Sequence, residues 1–413
     1  MTYCRKKCLL FLSFLIILFL LFSRIIFASI TDEECQKDLQ TGREHLEECI
    51  SLWAEIREEK SKQITTLNSE LEKFDASIAI TTAQIYKTVG EIQKLEKEIS
   101  TLSTKIGHLD ISLDQLSQIL VRRIAETYKK GKIDVLALLL SSNNFSEFVG
   151  RYKYLRVIQL HDRKLMIQME TVRTNYSDQR MVKEEKQEEL EAAKRKLDSQ
   201  KVVLAQQKAA KNNLLAITKN DERKYQQLLA QAIAQQKALL KFVSGQGGAT
   251  ILENQTVHDD WGYYYNQRDS EWGRNSLGVS GLSVAEYGCL VSSVAMIASH
   301  YGINIKPSDI ASNPSAFFSD TAYLLDSFCV NSIKVIKEHK SAFLLDSELS
   351  AGRPVIAGLY SGPNHFIVIK EKSGDNYVMH DPFLENGANR PLSDKYSVSD
   401  ISSLRLISFS QCD

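Results

Sequence analysis

The chain has 413 residues, 43% of them hydrophobic and 25% charged, with 51 basic side chains balanced by 51 acidic ones. At roughly 150 residues per domain this allows two or three structural units, and zero formal charge supplies no long-range attraction to nucleic acid. All six prolines lie beyond residue 306, and of 19 glycines only Gly42, Gly90, Gly107, Gly131 and Gly150 precede residue 244. One compact fold needs turn residues throughout, so the chain is bipartite.

Residues 1–30 read as an export segment. Arg5, Lys6 and Lys7 precede an apolar run from Leu9 to Phe22, which is broken by Arg24 and resumes to Ala28. This is the pattern of a signal peptide, although the run of about 14 residues lacks a small-x-small cleavage site, and a retained amino-terminal anchor stays open beside it. Asp32, Glu33 and Glu34 follow the run. Basic residues stay inside, so both readings place the remainder outside the cytoplasm, secreted or anchored to the outer face of the cytoplasmic membrane.

Residues 31–243 are rich in Glu, Lys, Gln, Leu and Ala and hold no proline. Apolar residues recur three and four apart, as in Leu67, Leu71, Phe74 and Ile78, then Leu102, Ile106, Leu109, Leu113, Leu116 and Leu120. Such a sustained heptad seam predicts a coiled coil, with a local irregularity beside Gly90. A second, looser helical stretch includes Leu155, Leu165, Leu190 and Leu204. Between them, near 129–150, Gly131 and the run Ser141-Ser142-Asn143-Asn144 favour a reversal. The two arms, each about 140 Å at 1.5 Å per residue, then pair as a long antiparallel hairpin.

The reversal carries Arg122-Arg123, Tyr128-Lys129-Lys130-Gly131, Leu138-Leu139-Leu140-Ser141-Ser142, Phe145-Ser146-Glu147-Phe148 and Arg151-Tyr152. This pattern resembles the coiled-coil domain of bacterial cell-division murein hydrolases and murein hydrolase activators. The resemblance implies a regulatory arm whose apolar tip engages a membrane ABC-transporter-like division complex, with the coiled coil covering the cleft of the resting enzyme.

Seven cysteines are an odd count. Cys35 and Cys49 lie 14 residues apart, about 21 Å on one helix against a Cα limit near 7 Å, so they pair only between chains or if the segment is not helical. Cys329, placed in an apolar helix, and Cys412 are either bridged or buried free thiols. No Cys or His cluster has zinc spacing, and no cofactor is expected.

Residues 244–258, opening with Ser244-Gly245-Gln246-Gly247-Gly248, read as a flexible linker. Residues 259–413 have the mixed texture of an α+β domain. Gly288-Cys289 opens an apolar helix that closes at Tyr301-Gly302, and a thiol at a helix amino terminus faces unpaired N–H groups and the positive dipole end, which favours the nucleophilic thiolate. His365 starts a strand, and Asp381 ends the next one after the turn Ser373-Gly374-Asp375. Cys289, His365 and Asp381 thus offer nucleophile, base and orienting group, and Gln267 offers an amide donor to an oxyanion. His380 points to the opposite face from Asp381, and His300 lies some 16 Å along the cysteine helix, so neither serves as base.

The set Gln267-x-Asp269-x-x-Trp272, Gly288-Cys289, Tyr301-Gly302, His365-Phe366-x-Val368 and Asp381-Pro382 resembles the papain-like cysteine peptidases of the bacteriocin-leader-processing type. Leu290 departs from the glycine of many members and implies a tighter loop or a narrower pocket. The resemblance implies a papain-like α+β fold and a Cys289 nucleophile with His365 as acid and base. It makes Asp381 the orienter, and Gln267 with the Cys289 N–H the oxyanion hole. The two resemblances together describe an exported hydrolase of peptide amide bonds, with peptidoglycan as substrate. A non-catalytic activator or scaffold whose papain-like domain only binds peptide is the alternative, and a leader peptidase lacks the further membrane spans of a transporter.

Overall fold

A computed structural model describes residues 31–40, 45–62, 66–130 and 135–412. The export segment and Gly131 lie outside these residues. Among the described residues no helix is long and apolar enough to cross a membrane. The chain has a long helical region to Gly245 followed by a sheet-rich α+β domain. Two compact units divide it: Gln84–Lys201, and the stretch up to Ala83 combined with everything from Val202 onward.

Helix α1 spans Asp32–Gln40 and α2 Leu46–Lys62. A Cys35–Cys49 disulfide joins them across a Cα separation of 5.4 Å, and the Trp53 indole donates to Asp32 at 2.6 Å. The single helix assumed for these cysteines is therefore two helices folded back on each other, which removes the distance objection. The expected arms are also shorter than the sequence suggested: α3 is Leu67–Lys130 and α5 is Phe145–Thr218, with α4 (Val135–Leu140) between them. At 64 and 74 residues they measure about 96 and 111 Å. The second arm stops because Lys219 and Asn220 adopt positive φ, and Asp221 then caps α6 (Glu222–Gly245) through the Arg223 and Lys224 N–H groups.

Within Gln84–Lys201 the expected seam from Leu102 to Leu120 is half-buried between largely exposed neighbours. Glu91 pairs with Lys196, Glu96 with Lys194 and Arg123 with Asp162, so numbers rise on one helix as they fall on the other. The helices run antiparallel. Gly90 does not interrupt α3: a helical glycine costs only about 1 kcal/mol, little against so long a run.

In the other unit, Leu67, Phe74, Leu214 and Tyr225 form one cluster with Phe318 and Leu325 of the α+β domain. Beneath it Ser319 Oγ donates to the buried Glu70 carboxylate at 2.5 Å, and Lys73 pairs with Asp320. The domain itself is built on seven antiparallel strands in the order β3-β4-β9-β5-β6-β7-β8. These are Ser327–Val330, Ile333–Ser341, Ile401–Gln411, Val355–Leu359, His365–Ser373, Asn376–His380 and Arg390–Pro391. A two-stranded hairpin, β1 (Val257–Asp259) and β2 (Gly262–Tyr264), precedes them. Helix α7 is Val284–Tyr287 and α8 is Cys289–His300, buried from Cys289 to Ala298. Val294 and Ile297 of α8 share a core with Phe366 and Val368, while Ile367 and Ile369 face a second core with Leu404. A strand buried on both faces explains the unbroken apolar run after His365.

Cys329 sits on β3, not on a helix. Asn331 and Ser332, both at positive φ, turn β3 into β4, and strand alternation buries Phe328 and Val330 while exposing Cys329. It is bridged to Cys412, whose N–H donates to Ser332 O. Much of the stretch expected as a linker is held on the domain. The Leu252 N–H donates to Arg268 O at 2.8 Å, and Gln255 N–H and Thr256 Oγ1 donate to Asp269.

Candidate active site

Cys289 opens α8 directly behind Gly288, which provides no side-chain cap. A Cβ on Gly288 would stand 2.5 Å from Val284 O, so only glycine lets α7 pass into α8 here. The first-turn N–H groups and the positive end of the helix therefore lie at the thiol. Cys289 is the free cysteine among the described residues.

The pairing of Val368 with His380 puts Asp381 just past the end of β7, across from the start of β6. His365 Nε2 meets Asp381 Oδ1 at 2.7 Å. The second carboxylate oxygen accepts from the Tyr396 hydroxyl at 2.9 Å, and Oδ1 also accepts from the Phe383 N–H. The Asp381 backbone is fixed too, its N–H donating to Gly387 O and its carbonyl accepting from the Tyr264 hydroxyl. Burial alone would push the Asp381 carboxyl up, but the His365 charge and these donors hold it below the usual carboxylate range. For His365, burial favours the neutral ring, yet Asp381 and then Cys289 outweigh it and raise the imidazole to about 9. With Nε2 committed to the carboxylate, Nδ1 is left for proton exchange with the thiol. Nδ1 has no formed hydrogen bond.

Gln267 is tied to both halves of this arrangement. Its N–H donates to Pro382 O at 2.7 Å, and its side-chain Nε2 donates to Ala285 O at 2.7 Å, one turn before Cys289. One amide hydrogen is thus committed to α7, which leaves the other for the expected oxyanion contact. Asp269 holds the neighbouring loop through Gln255, Thr256 and Glu271, and the buried Trp272 donates to Asn266 O. These two motif residues build the scaffold. His380 accepts from the Asn389 N–H, and burial lowers it to about 4. His300 Nδ1 lies 2.9 Å from Trp261 O and its ring stacks on that indole.

Three side chains at the site carried no sequence signal that the motif reading used. Tyr396 supports Asp381 from a loop, and Phe383 packs edge-on to His365. The third is Phe242 of α6, whose ring lies parallel to the imidazole at 4.1 Å and edge-on to Phe383 at 5.4 Å. Phe242 and Val243 form a small apolar cluster with Phe383. As a result Cys289 is 2% exposed, His365 1% and Asp381 0%. The thiol and imidazole are closed from solvent.

Residues 263–399 match the model of the Peptidase_C39 like family. The matched stretch contains Gln267, Cys289, His365, Asp381 and Tyr396, and the helical region before it lies outside the match. No curated protein matches the chain. The α+β domain is thus similar in sequence to the Peptidase_C39 like family.

Proposed function

We propose that this protein is a cysteine peptidase that works outside the cytoplasm, hydrolyses peptide amide bonds of peptidoglycan during cell division, and rests closed under its own helical region. The observation that carries the peptidase reading is the convergence of Cys289, at an uncapped helix start, with an imidazole already paired to a buried carboxylate. In this reading the thiolate attacks the scissile carbonyl, and the oxyanion accepts hydrogen bonds from the Cys289 N–H and the second Gln267 amide hydrogen. His365 hands its proton to the leaving amine, and water then releases the acyl group from sulfur.

Two disulfides, Cys35–Cys49 and Cys329–Cys412, support an oxidising compartment. The wall substrate rests on the resemblance of the helical region to murein hydrolases. Regulation through the helices draws support from Phe242, whose ring lies flat on one face of the His365 imidazole and buries it. The same closure favours the alternative of a peptide-binding scaffold without turnover. The experiment is release of soluble fragments from purified wall by the full chain, read by mass spectrometry for wild type, Phe242→Ala, and Phe242→Ala with Cys289→Ser. Release by the single variant and none by the double variant supports the peptidase. Peptide binding without release by either variant supports the scaffold.

A further inference from the structure

The structure points to a second working surface, at the turn between α3 and α5, that is independent of the peptidase chemistry. Leu140 is 81% exposed, Phe145 75% and Tyr128 88%, and Leu139, Val149, Tyr154 and Val157 are exposed with them. Phe145, Phe148 and Tyr152 follow one another along α5 with ring centroids 6.1 Å apart at each step. Aliphatic side chains such as Ile111, Leu160, Met166 and Met181 are exposed along the arms too, but within Gln84–Lys201 the exposed aromatic ones, Tyr128, Phe145, Tyr152 and Tyr154, all lie at this turn, and an aromatic cluster of that kind marks an interaction surface.

The charge there is equally uneven. Among the described residues, 121–130 and 135–160 hold seven Lys and Arg against two Asp and Glu, in a chain whose total charge is zero. Arg151 pairs with Glu147 and Arg123 with Asp162, which leaves five basic side chains outside those two pairs. The two features are also layered. Leucine and phenylalanine occupy the apex, from α4 to Phe145. Because Arg123 pairs with Asp162, Tyr128-Lys129 on one helix comes within a few turns of the height of Tyr152-Lys153-Tyr154 and Arg156 on the other. An apolar apex backed by an aromatic and basic collar matches the order of zones met on entering a bilayer with anionic headgroups. The apolar groups reach the acyl boundary, tyrosines sit at headgroup level, and Lys and Arg meet lipid phosphates.

We infer that this turn inserts shallowly into an anionic lipid surface, and the excess of basic side chains commits it to lipid over a neutral apolar protein groove. Each Lys or Arg near such a surface strengthens partitioning roughly fivefold. The apolar run of residues 9–28 would hold the full chain on vesicles whatever the turn does, so the readout must be local.

Hydrogen exchange of the full chain is measured on phosphatidylglycerol-containing vesicles, on pure phosphatidylcholine vesicles, and on native membranes retaining their proteins. The expected result is slowed exchange in residues 121–160 on the phosphatidylglycerol vesicles, weakened by high salt and absent on pure phosphatidylcholine. Lys129→Gln with Lys153→Gln and Arg156→Gln should weaken that protection on the order of a hundredfold. Leu140→Glu with Phe145→Glu should abolish it while leaving exchange without vesicles unchanged. Protection that appears only on protein-bearing membranes would assign the surface to a protein such as a division complex and overturn the inference. So would equal protection on neutral lipid, or none on any membrane.

Discussion

At the scale of single residues, the site works through a proton held between Asp381 and His365, and its pH behaviour follows from the direction of each shift. His365 is raised from 6.5 to about 9, so the stability its pairing contributes is complete below about 6.5 and disappears as pH climbs through 9. Asp381 is lowered from 3.8, so its contribution is complete above that value and is lost on acidification. In the proposed reaction the imidazolium is also the acid that protonates the leaving amine, so the alkaline limb of turnover should fall near 9. Asp381→Asn should move that limb towards 6.5 and reduce kcat about 10²- to 10⁴-fold, because the ring loses both its charge partner and its orientation. A pH profile of kcat/KM for the two proteins checks this, and an unmoved limb would remove Asp381 from the account. Tyr396 acts through Asp381. Tyr396→Phe should shift the same limb by a fraction of the Asp381→Asn effect with little change in KM, whereas a purely structural tyrosine would alter stability and leave the limb in place.

Cys289, His365 and Asp381 were legible in the sequence because each sits at an element boundary: a glycine before a helix, a strand start, a strand end before Pro382. Tyr396 and Phe383 were not. They reach the site from irregular segments whose path depends on tertiary contacts, such as the Arg268 guanidinium lying 4.5 Å over the Phe383 ring.

At the scale of elements, α6 is the part whose role the sequence concealed. The coiled coil was expected to run on to residue 243, but Leu239 enters the core of the α+β domain and Phe242 reaches His365. The break that frees α6 from the second arm is made by two non-glycine residues at positive φ, Lys219 and Asn220, which composition does not announce. For Cys35 and Cys49 the reason is the converse: spacing measured along one axis says nothing once the bridged residues sit on two helices, α1 and α2.

A second prediction belongs to the packing of α3 on the domain. Burial and the nearby Asp320 push Glu70 up to about 7 despite Lys73 and the Ser319 hydroxyl. Between 4.5 and 7 the folded state therefore holds a proton that the unfolded state has released, and stability falls as pH rises across that window. Glu70→Gln should raise Tm at pH 8 and flatten its decline between pH 5 and 7, as thermal unfolding of the full chain would show. A lower Tm at pH 8 would mean that the carboxylate is charged and paired with Lys73.

At the scale of the whole molecule, the α6 residue Phe242 lies over the imidazole of His365, and in the proposed function this contact holds the site closed. The covering contact is modest. Stacking of Phe242 is worth about 0.5–1.5 kcal/mol beyond its burial of roughly 2 kcal/mol. An opening of that size is within reach of a binding event elsewhere on the chain, and would still favour the closed form on the order of a hundredfold. Both disulfides leave Cys289 as the reactive thiol of the described residues, with Cys329 protected in its bridge.

The most direct measurement is the rate at which iodoacetamide modifies Cys289 in the non-reduced full chain, followed by peptide mapping, for wild type and Phe242→Ala. Phe242→Leu, which keeps an apolar side chain but removes the stack, serves as the better-folded second variant. Of the five cysteines in the described residues, only Cys289 should label in wild type, and slowly, with Cys4 and Cys8 mapped separately. Labelling should be about ten- to a hundredfold faster in Phe242→Ala and intermediate in Phe242→Leu, with wall hydrolysis rising in parallel. Labelling of Cys329 or Cys412, or equal rates at Cys289 in all three proteins, would contradict it.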